Sequence, residues 1–112
     1  MQDTSLDPAL SSKIQSLLGS SKVVLFMKGT KTFPQCGFSA KVVGILRETG
    51  VDFEAHNILL DADLREGLKR YSNWPTYPQL YVDGKLVGGC DIVTDLHESG
   101  QLTEVLQVAP SA

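Results

Sequence analysis

A chain of 112 residues, 42% hydrophobic and 21% charged, has the size and composition of one globular domain, and its longest apolar run, Val23 to Met27, is far short of the ~20 residues of a membrane-spanning helix. The net charge is −3 and the ten Lys and Arg are scattered, which argues against a nucleic-acid surface. Two cysteines are too few for a disulfide framework and fit a reducing intracellular compartment, and Met1 to Leu6 carry neither the basic nor the apolar region of a secretory signal.

Asp7-Pro8 reads as a helix cap followed by proline at the first helical position; Leu10, Ile14, Leu17 and Leu18 recur at helical spacing and Gly19 is a stop. Val23 to Met27 is continuously apolar, as in a strand buried on both faces. Lys28 to Gln35 is a loop broken by Gly29 and Pro34. A second helix begins near Cys36, with Phe38, Val42, Ile45 and Leu46 as its apolar face and Gly50 as its end. Val51, Phe53 and Ala55 alternate with polar residues, which predicts a second strand. Asp61 caps a third helix carrying Leu64 and Leu68, and Trp74-Pro75-Thr76-Tyr77-Pro78 is too rich in proline for regular structure. Asp83-Gly84 between Gln79–Val82 and Lys85–Val87 is a hairpin signal. Asp91 caps a fourth helix that stops at Gly100, and a short helix runs over 102–106. The order α-β-α-β-α-β-β-α-α predicts an α/β fold: a mixed four-stranded sheet with helices on both faces, its first two strands parallel with a right-handed crossover.

In such folds ligands bind beyond the carboxyl ends of the parallel strands. The loop after the first strand delivers Cys36 to a helix N-terminus, whose free N–H groups and positive dipole favour the thiolate and bring a thiol pKa from ~8.5 into the range of roughly 3.5–7.5. Lys28 adds positive charge if the loop folds back. In Cys36-Gly37-Phe38-Ser39 the residue three beyond the cysteine is a serine, so Cys36 has no resolving thiol within the motif. A second thiol must come from a small molecule, a partner or Cys90.

Lys28-Gly29-Thr30, Cys36-Gly37-Phe38-Ser39, Trp74-Pro75-Thr76-Tyr77-Pro78 and Gly88-Gly89-Cys90-Asp91, in this order and spacing, resemble the monothiol glutaredoxins of the CGFS class, over nearly the whole chain. The resemblance implies the thioredoxin fold and a single glutaredoxin domain over 1–112, with a core of about 8–107. It implies glutathione bound in extended form, with Pro78 as a cis-proline that turns the Tyr77 backbone toward the thiol. Gly89 then permits close approach, the N–H groups of Cys90 and Asp91 take the γ-glutamyl carboxylate, and the Asp91 carboxylate takes the amino group. Lys28, Arg65 and Lys69 match positions for the glycyl carboxylate, Thr76 lies near the site, and Phe38 is either core or a lid over the thiol. Trp74 packs under the loop or flanks the ligand. His56 and His97 have no ligand spacing to the cysteines and are expected at the surface.

Two functions follow from the resemblance. One is carriage of a [2Fe–2S] cluster in iron–sulfur assembly and iron or redox homeostasis. Cys36 is then the metal ligand, shared between two chains with two glutathiones, so the protein is a homodimer with cluster and a monomer without it. A BolA-like protein and iron–sulfur recipient proteins are the partners, with no nucleic acid and no membrane. The other is a weak glutathione-dependent thiol–disulfide oxidoreductase with Cys36 as the catalytic thiol. A third reading, a binding module of a multidomain iron-sensing glutaredoxin, is disfavoured by Gly-Gly-Cys-Asp at 88–91, which is more typical of single-domain members. The compartment expected is cytosol, mitochondrial matrix or plastid stroma.

Overall fold

The computed structural model describes residues 7–106; the readings of Met1–Leu6 and of the domain edge at residue 107 lie outside them. Helix α1, Pro8–Leu18, has proline in its first turn and buries Ile14 and Leu18. Asp7 precedes it as cap through its backbone carbonyl, which accepts from Ser11 N–H at 2.9 Å; its side chain makes no cap bond.

Strand β1, Val23–Met27, is buried at all five positions. Successive side chains of a strand point to opposite faces, and here both faces are covered. Val23, Leu25 and Met27 join one apolar cluster with Val42, Val43, Ile45 and Leu46 of the next helix. Val24 and Phe26 join a second with Ile14, Leu18, Leu64 and Leu68. Each large side chain so buried contributes roughly 1.5–3 kcal/mol, which makes β1 the centre of the molecule.

Helix α2, Gly37–Thr49, starts at Cys36 and ends at Gly50, which takes φ 76°, ψ 5°, a left-handed conformation open to glycine. Its buried face differs from the expectation. Phe38 is 63% exposed, and Ser39 is fully buried with Val42, Val43, Ile45 and Leu46. Phe38 is therefore not core; the first turn points it outward and seats the small hydroxyl of Ser39 against the end of β1.

Strand β2, Glu54–Asn57, begins later than the alternation over 51–55 predicted, because its ladder to β1 starts at Val24 opposite Glu54. It is parallel to β1. A 3₁₀ turn, Ile58–Leu60, not foreseen from sequence, follows with Asn57 as its cap. Helix α3, Ala62–Ser72, is capped by Asp61, whose carboxylate accepts from Leu64 N–H at 3.0 Å. Lys13 of α1 donates to the same carboxylate, tying α1 to the start of α3. This pair and the Leu64 N–H hold the Asp61 carboxyl below the usual carboxylate range.

The hairpin is as expected: β3, Gln79–Val82, and β4, Lys85–Gly88. Asp83 and Gly84 both have positive φ, 53° and 77°, as a two-residue turn matching strand twist requires. The register shifts between Leu80 and Tyr81. The sheet order is β2-β1-β3-β4, with β3 antiparallel to β1. Helix α4 runs Cys90–Glu98 with Gly89 at its cap, so Asp91 lies in the first turn instead of capping as the sequence suggested. Helix α5, Leu102–Leu106, buries both its leucines. Among the described residues no helix is long and apolar enough to cross a membrane. The result is the four-stranded, two-faced architecture of the thioredoxin fold.

Candidate functional site

Beyond the carboxyl end of β1 lies a cavity of about 660 Å³, in the place where open α/β sheets bind ligands. Four segments build it: the β1–α2 loop, α3, the loop before β3 and the start of α4.

The first segment brings Lys28, Cys36 and Phe38 to the cavity. Lys28 and Cys36 are brought close by the folding of the intervening loop. Gln35 N–H donates to Lys28 O at 2.9 Å, Gly29 pairs with Pro34, and Gly29 N–H donates to Asn57 Oδ1 at 3.0 Å. Gly29 has φ 98°, and a Cβ there would lie 2.5 Å from Gln35 N and 2.6 Å from Phe33 O, so the loop closes only on glycine. Asn57 Oδ1 also accepts from Leu59 N–H at 3.0 Å and so joins the loop to the turn after β2. Ser39 Oγ accepts from Lys28 N–H at 3.1 Å.

Cys36 is a free thiol, partly exposed. Its pKa is held below the ordinary thiol value, first by the Ser39 N–H, then by the Phe38 N–H and by the charge of Lys28, against an opposing contribution from burial. Unpaired N–H groups of a helix's first turn are the physical source of this effect. Cys36 is thus biased toward the nucleophilic and metal-ligating thiolate.

Arg65 and Lys69 reach the cavity from α3, one turn apart on one face. Tyr77, whose hydroxyl donates to Arg65 O at 2.7 Å, ties α3 to the loop before β3. Burial pushes the Tyr77 phenol well above its ordinary value. The Tyr77–Pro78 bond is cis. Trp74, Pro75, Thr76 and Tyr77 border the cavity, while Pro78 is buried behind them.

On the far side stand Gly89, Cys90, Asp91 and Ile92. A Cβ at Gly89 would come within 3.1 Å of Pro78 O and 3.3 Å of Trp74 Nε1, so α4 approaches the loop over a bare backbone. Cys90 is also free, with Sγ 4.0 Å from Thr94 Oγ1.

Ten of the eleven residues named from sequence thus border one cavity, and Pro78 shapes it from behind. Sequence reasoning left out Pro75 and Ile92, and also Asn57 and Gln79, which hold the loops without lining the cavity. The histidines stand apart from it. His97 Nε2 is 3.2 Å from Glu48 Oε1. His56 is half-buried rather than at the surface: its ring packs 5.4 Å from Phe26, and burial lowers its pKa. No group of three or more His, Cys, Asp or Glu suited to a metal ion occurs among the described residues.

Three cations, Lys28, Arg65 and Lys69, line the cavity together with Asp91 in the first turn of α4. Buried Arg65 Nε and Trp74 Nε1 have no hydrogen-bond partner among the described residues. This donor set suits a small zwitterionic ligand with carboxylates at its ends and a group near Cys36.

Comparison with known proteins agrees. Residues 23–87 match the family model for glutaredoxin. A chloroplastic monothiol glutaredoxin, S7, of Oryza sativa subsp. japonica is 56% identical over 104 residues, which are 93% of this chain and 62% of the rice protein. A ycf64-like monothiol glutaredoxin of Synechocystis is 51% identical over 93% of this chain and 97% of its own length. The chain spans less than two thirds of the rice relative but nearly all of the cyanobacterial one. Reduced poplar apo GrxS14 superposes with a TM-score of 0.80 at 54% identity, covering 90% of this chain and 93% of the poplar chain. A buckwheat glutaredoxin–glutathione complex does so with 0.75 at 26% identity, covering 89% and 88%. With a family model matched over more than half of its length and a relative covered almost end to end, the chain belongs to the glutaredoxin family, among its monothiol members.

Proposed function

We propose that this chain acts as a single glutaredoxin domain that binds glutathione in the cavity and, with a second copy, carries a [2Fe–2S] cluster for delivery to recipient proteins. One observation carries the reading: a partly exposed, thiolate-biased Cys36 at a helix start, in a cavity also lined by Lys28, Arg65, Lys69 and Asp91. A buckwheat relative of this fold is a glutathione complex, which supports that tripeptide as the ligand. The glycyl carboxylate lies with the three cations. The γ-glutamyl carboxylate meets the α4 N-terminus, the amino group meets Asp91, and the cysteinyl backbone runs along Tyr77.

Such a cluster normally takes four thiolates, and the chain has only two cysteines; Cys36 is the one whose thiolate is favoured by the Ser39 and Phe38 N–H groups and by Lys28. Two copies of Cys36 and two glutathiones complete the set, making the loaded form a homodimer and the empty form a monomer. Non-covalently held ligands suit transfer, and a BolA-like protein is a fitting alternative to the second copy. A reducing compartment rich in glutathione is the setting this requires.

The same geometry supports a second activity. The Cys36 thiolate attacks the glutathionyl sulfur of a protein mixed disulfide, the protein leaves as thiolate, and a Cys36–glutathione disulfide forms. A second glutathione thiolate attacks that glutathionyl sulfur, releasing oxidised glutathione and restoring Cys36. The exposed thiol permits this.

Anaerobic reconstitution with iron, sulfide and glutathione tests the main reading. Wild type and Cys90→Ser should become red-brown dimers by absorbance and size-exclusion chromatography, and Cys36→Ser should remain colourless. Cluster on Cys36→Ser, or equal yield with dithiothreitol replacing glutathione, overturns it.

A further inference from the structure

We propose that Gln79, which does not line the cavity, is a positioning residue that fixes the loop along which glutathione lies; the proposal rests on the glutathione reading above. Gln79 opens a strand buried at all four positions and is itself fully buried. Its Nε2 donates to Trp74 O at 3.1 Å and to Thr76 O at 3.3 Å. Its Oε1 accepts from the Tyr81 hydroxyl at 2.9 Å. Residues two apart on a strand share a face, which is why Tyr81 reaches it.

The amide orientation is dictated by its neighbours. Two carbonyls only accept, so the amino group must face them; the Tyr81 hydroxyl supplies the donor for the oxygen. Burial pushes the Tyr81 phenol up to about 12, so it keeps that proton at neutral pH. The Ser72 hydroxyl lies 3.5 Å from the same Oε1 and donates to Leu68 O at 2.7 Å, so Tyr81 is the nearer donor.

The loop needs this outside support because Pro75 and Pro78 contribute no N–H. Gln79 therefore holds the peptide units after Trp74 and Thr76 from beneath. Trp74 packs against Gly89, where even a Cβ would be 3.3 Å from its indole nitrogen. A loop released at its two carbonyls would shift Thr76 and Tyr77 and move Trp74 against the α4 start, changing the gap that the ligand spans. Cys36 would be unaffected, since α2, β1 and the Lys28–Ser39 contact hold it independently of Gln79. An apolar side chain there would leave the Trp74 and Thr76 carbonyls and the Tyr81 hydroxyl without these partners, so the bonds of the buried amide are directed to the loop.

The test uses glutathione turnover with a glutathionylated peptide and alkylation of Cys36 across pH. Gln79→Met keeps length and removes both donors. It should raise KM for glutathione about tenfold, equivalent to ~1.4 kcal/mol, and leave the pH midpoint of Cys36 alkylation unchanged. Tyr81→Phe removes only the hydroxyl that orients the amide and should raise KM two- to fivefold. Unchanged KM in both, or a Cys36 midpoint that moves together with KM, overturns the proposal. If Gln79→Met fails to fold, Tyr81→Phe decides by the same criterion. Wild-type protein that shows no glutathione saturation overturns the glutathione reading itself, and the proposal with it.

Discussion

Ser39→Ala separates two meanings of the motif serine: a residue present because it is not a second cysteine, or one with a structural task of its own. Ser39 is fully buried and its Oγ accepts from Lys28 N–H at 3.1 Å. Alanine leaves that part-buried N–H without its acceptor. An unsatisfied buried donor costs about 1–3 kcal/mol. Alanine returns up to ~0.5 kcal/mol as the better helix former, less in a first turn. The net loss is about 1–2 kcal/mol, or roughly 5–10 °C in Tm for a domain of this size. Urea unfolding followed by circular dichroism measures it. Ser39→Cys, with sulfur a weak acceptor, should fall between wild type and alanine. Because the same hydroxyl aligns the Lys28 strand end with the Cys36 turn, the alanine variant should also alkylate with a midpoint shifted toward that of free cysteine. An alanine variant within 0.5 kcal/mol of wild type would refute the structural task.

Two further outcomes follow. Alkylation of Cys36 by iodoacetamide should have a pH midpoint below the ~8.5 of an ordinary thiol, since the Ser39 N–H, the Phe38 N–H and Lys28 all favour the thiolate; a midpoint at or above that value contradicts the site's electrostatics. Asp61 has a depressed folded pKa, so its contribution is present above the ordinary carboxylate value of ~3.9 and is lost as pH falls through the folded value. In urea titrations the stability gap between wild type and Asp61→Ala should therefore narrow between about pH 5 and pH 2, and a gap independent of pH would show that the Lys13 and Leu64 contacts do not stabilise α3.

Much of this was legible from residues alone, because the signals were local. The apolar run 23–27, Asp-Gly at 83–84, Gly50 after a periodic stretch and Asp61 before one each specify their geometry through nearest neighbours. Most cavity residues were legible through four motifs on three segments, whereas Arg65 and Lys69 of α3 stand outside those motifs and were named through the family resemblance. What was missed depends on contacts distant in sequence. Asn57 receives Gly29 N–H from 28 residues away, and nothing in its own neighbourhood announces it. Gln79 looked like an ordinary strand residue, and its partners become apparent only once the loop before it is folded. Of the two readings of Phe38, core or a lid over the thiol, the exposed side chain at the cavity excludes the first; apolar periodicity cannot tell a helix's buried face from an apolar side chain at its open end. Asp91 was assigned as a cap on residue type, whereas the bare backbone of Gly89 occupies the cap position against Trp74.

The two apolar clusters on either side of the sheet give the cavity a property that none of its residues has singly. Cys36, Cys90 and Asp91 ride on α2 and α4, which rest on one face through Val42, Leu46 and Val93. Arg65 and Lys69 ride on α3, which rests on the other through Leu64 and Leu68. Cys36 and Asp91 on the α2–α4 face and Arg65 and Lys69 on the α3 face are thus the two jaws of a caliper whose bar is the β1–β3 pair. Its opening is set by the thickness of the sheet and the side chains packed on it, dimensions a close-packed interior holds almost constant. A ligand of fixed length held between the jaws would therefore meet a gap set partly by residues that never touch it, the valines and leucines that fix how far apart the jaws stand.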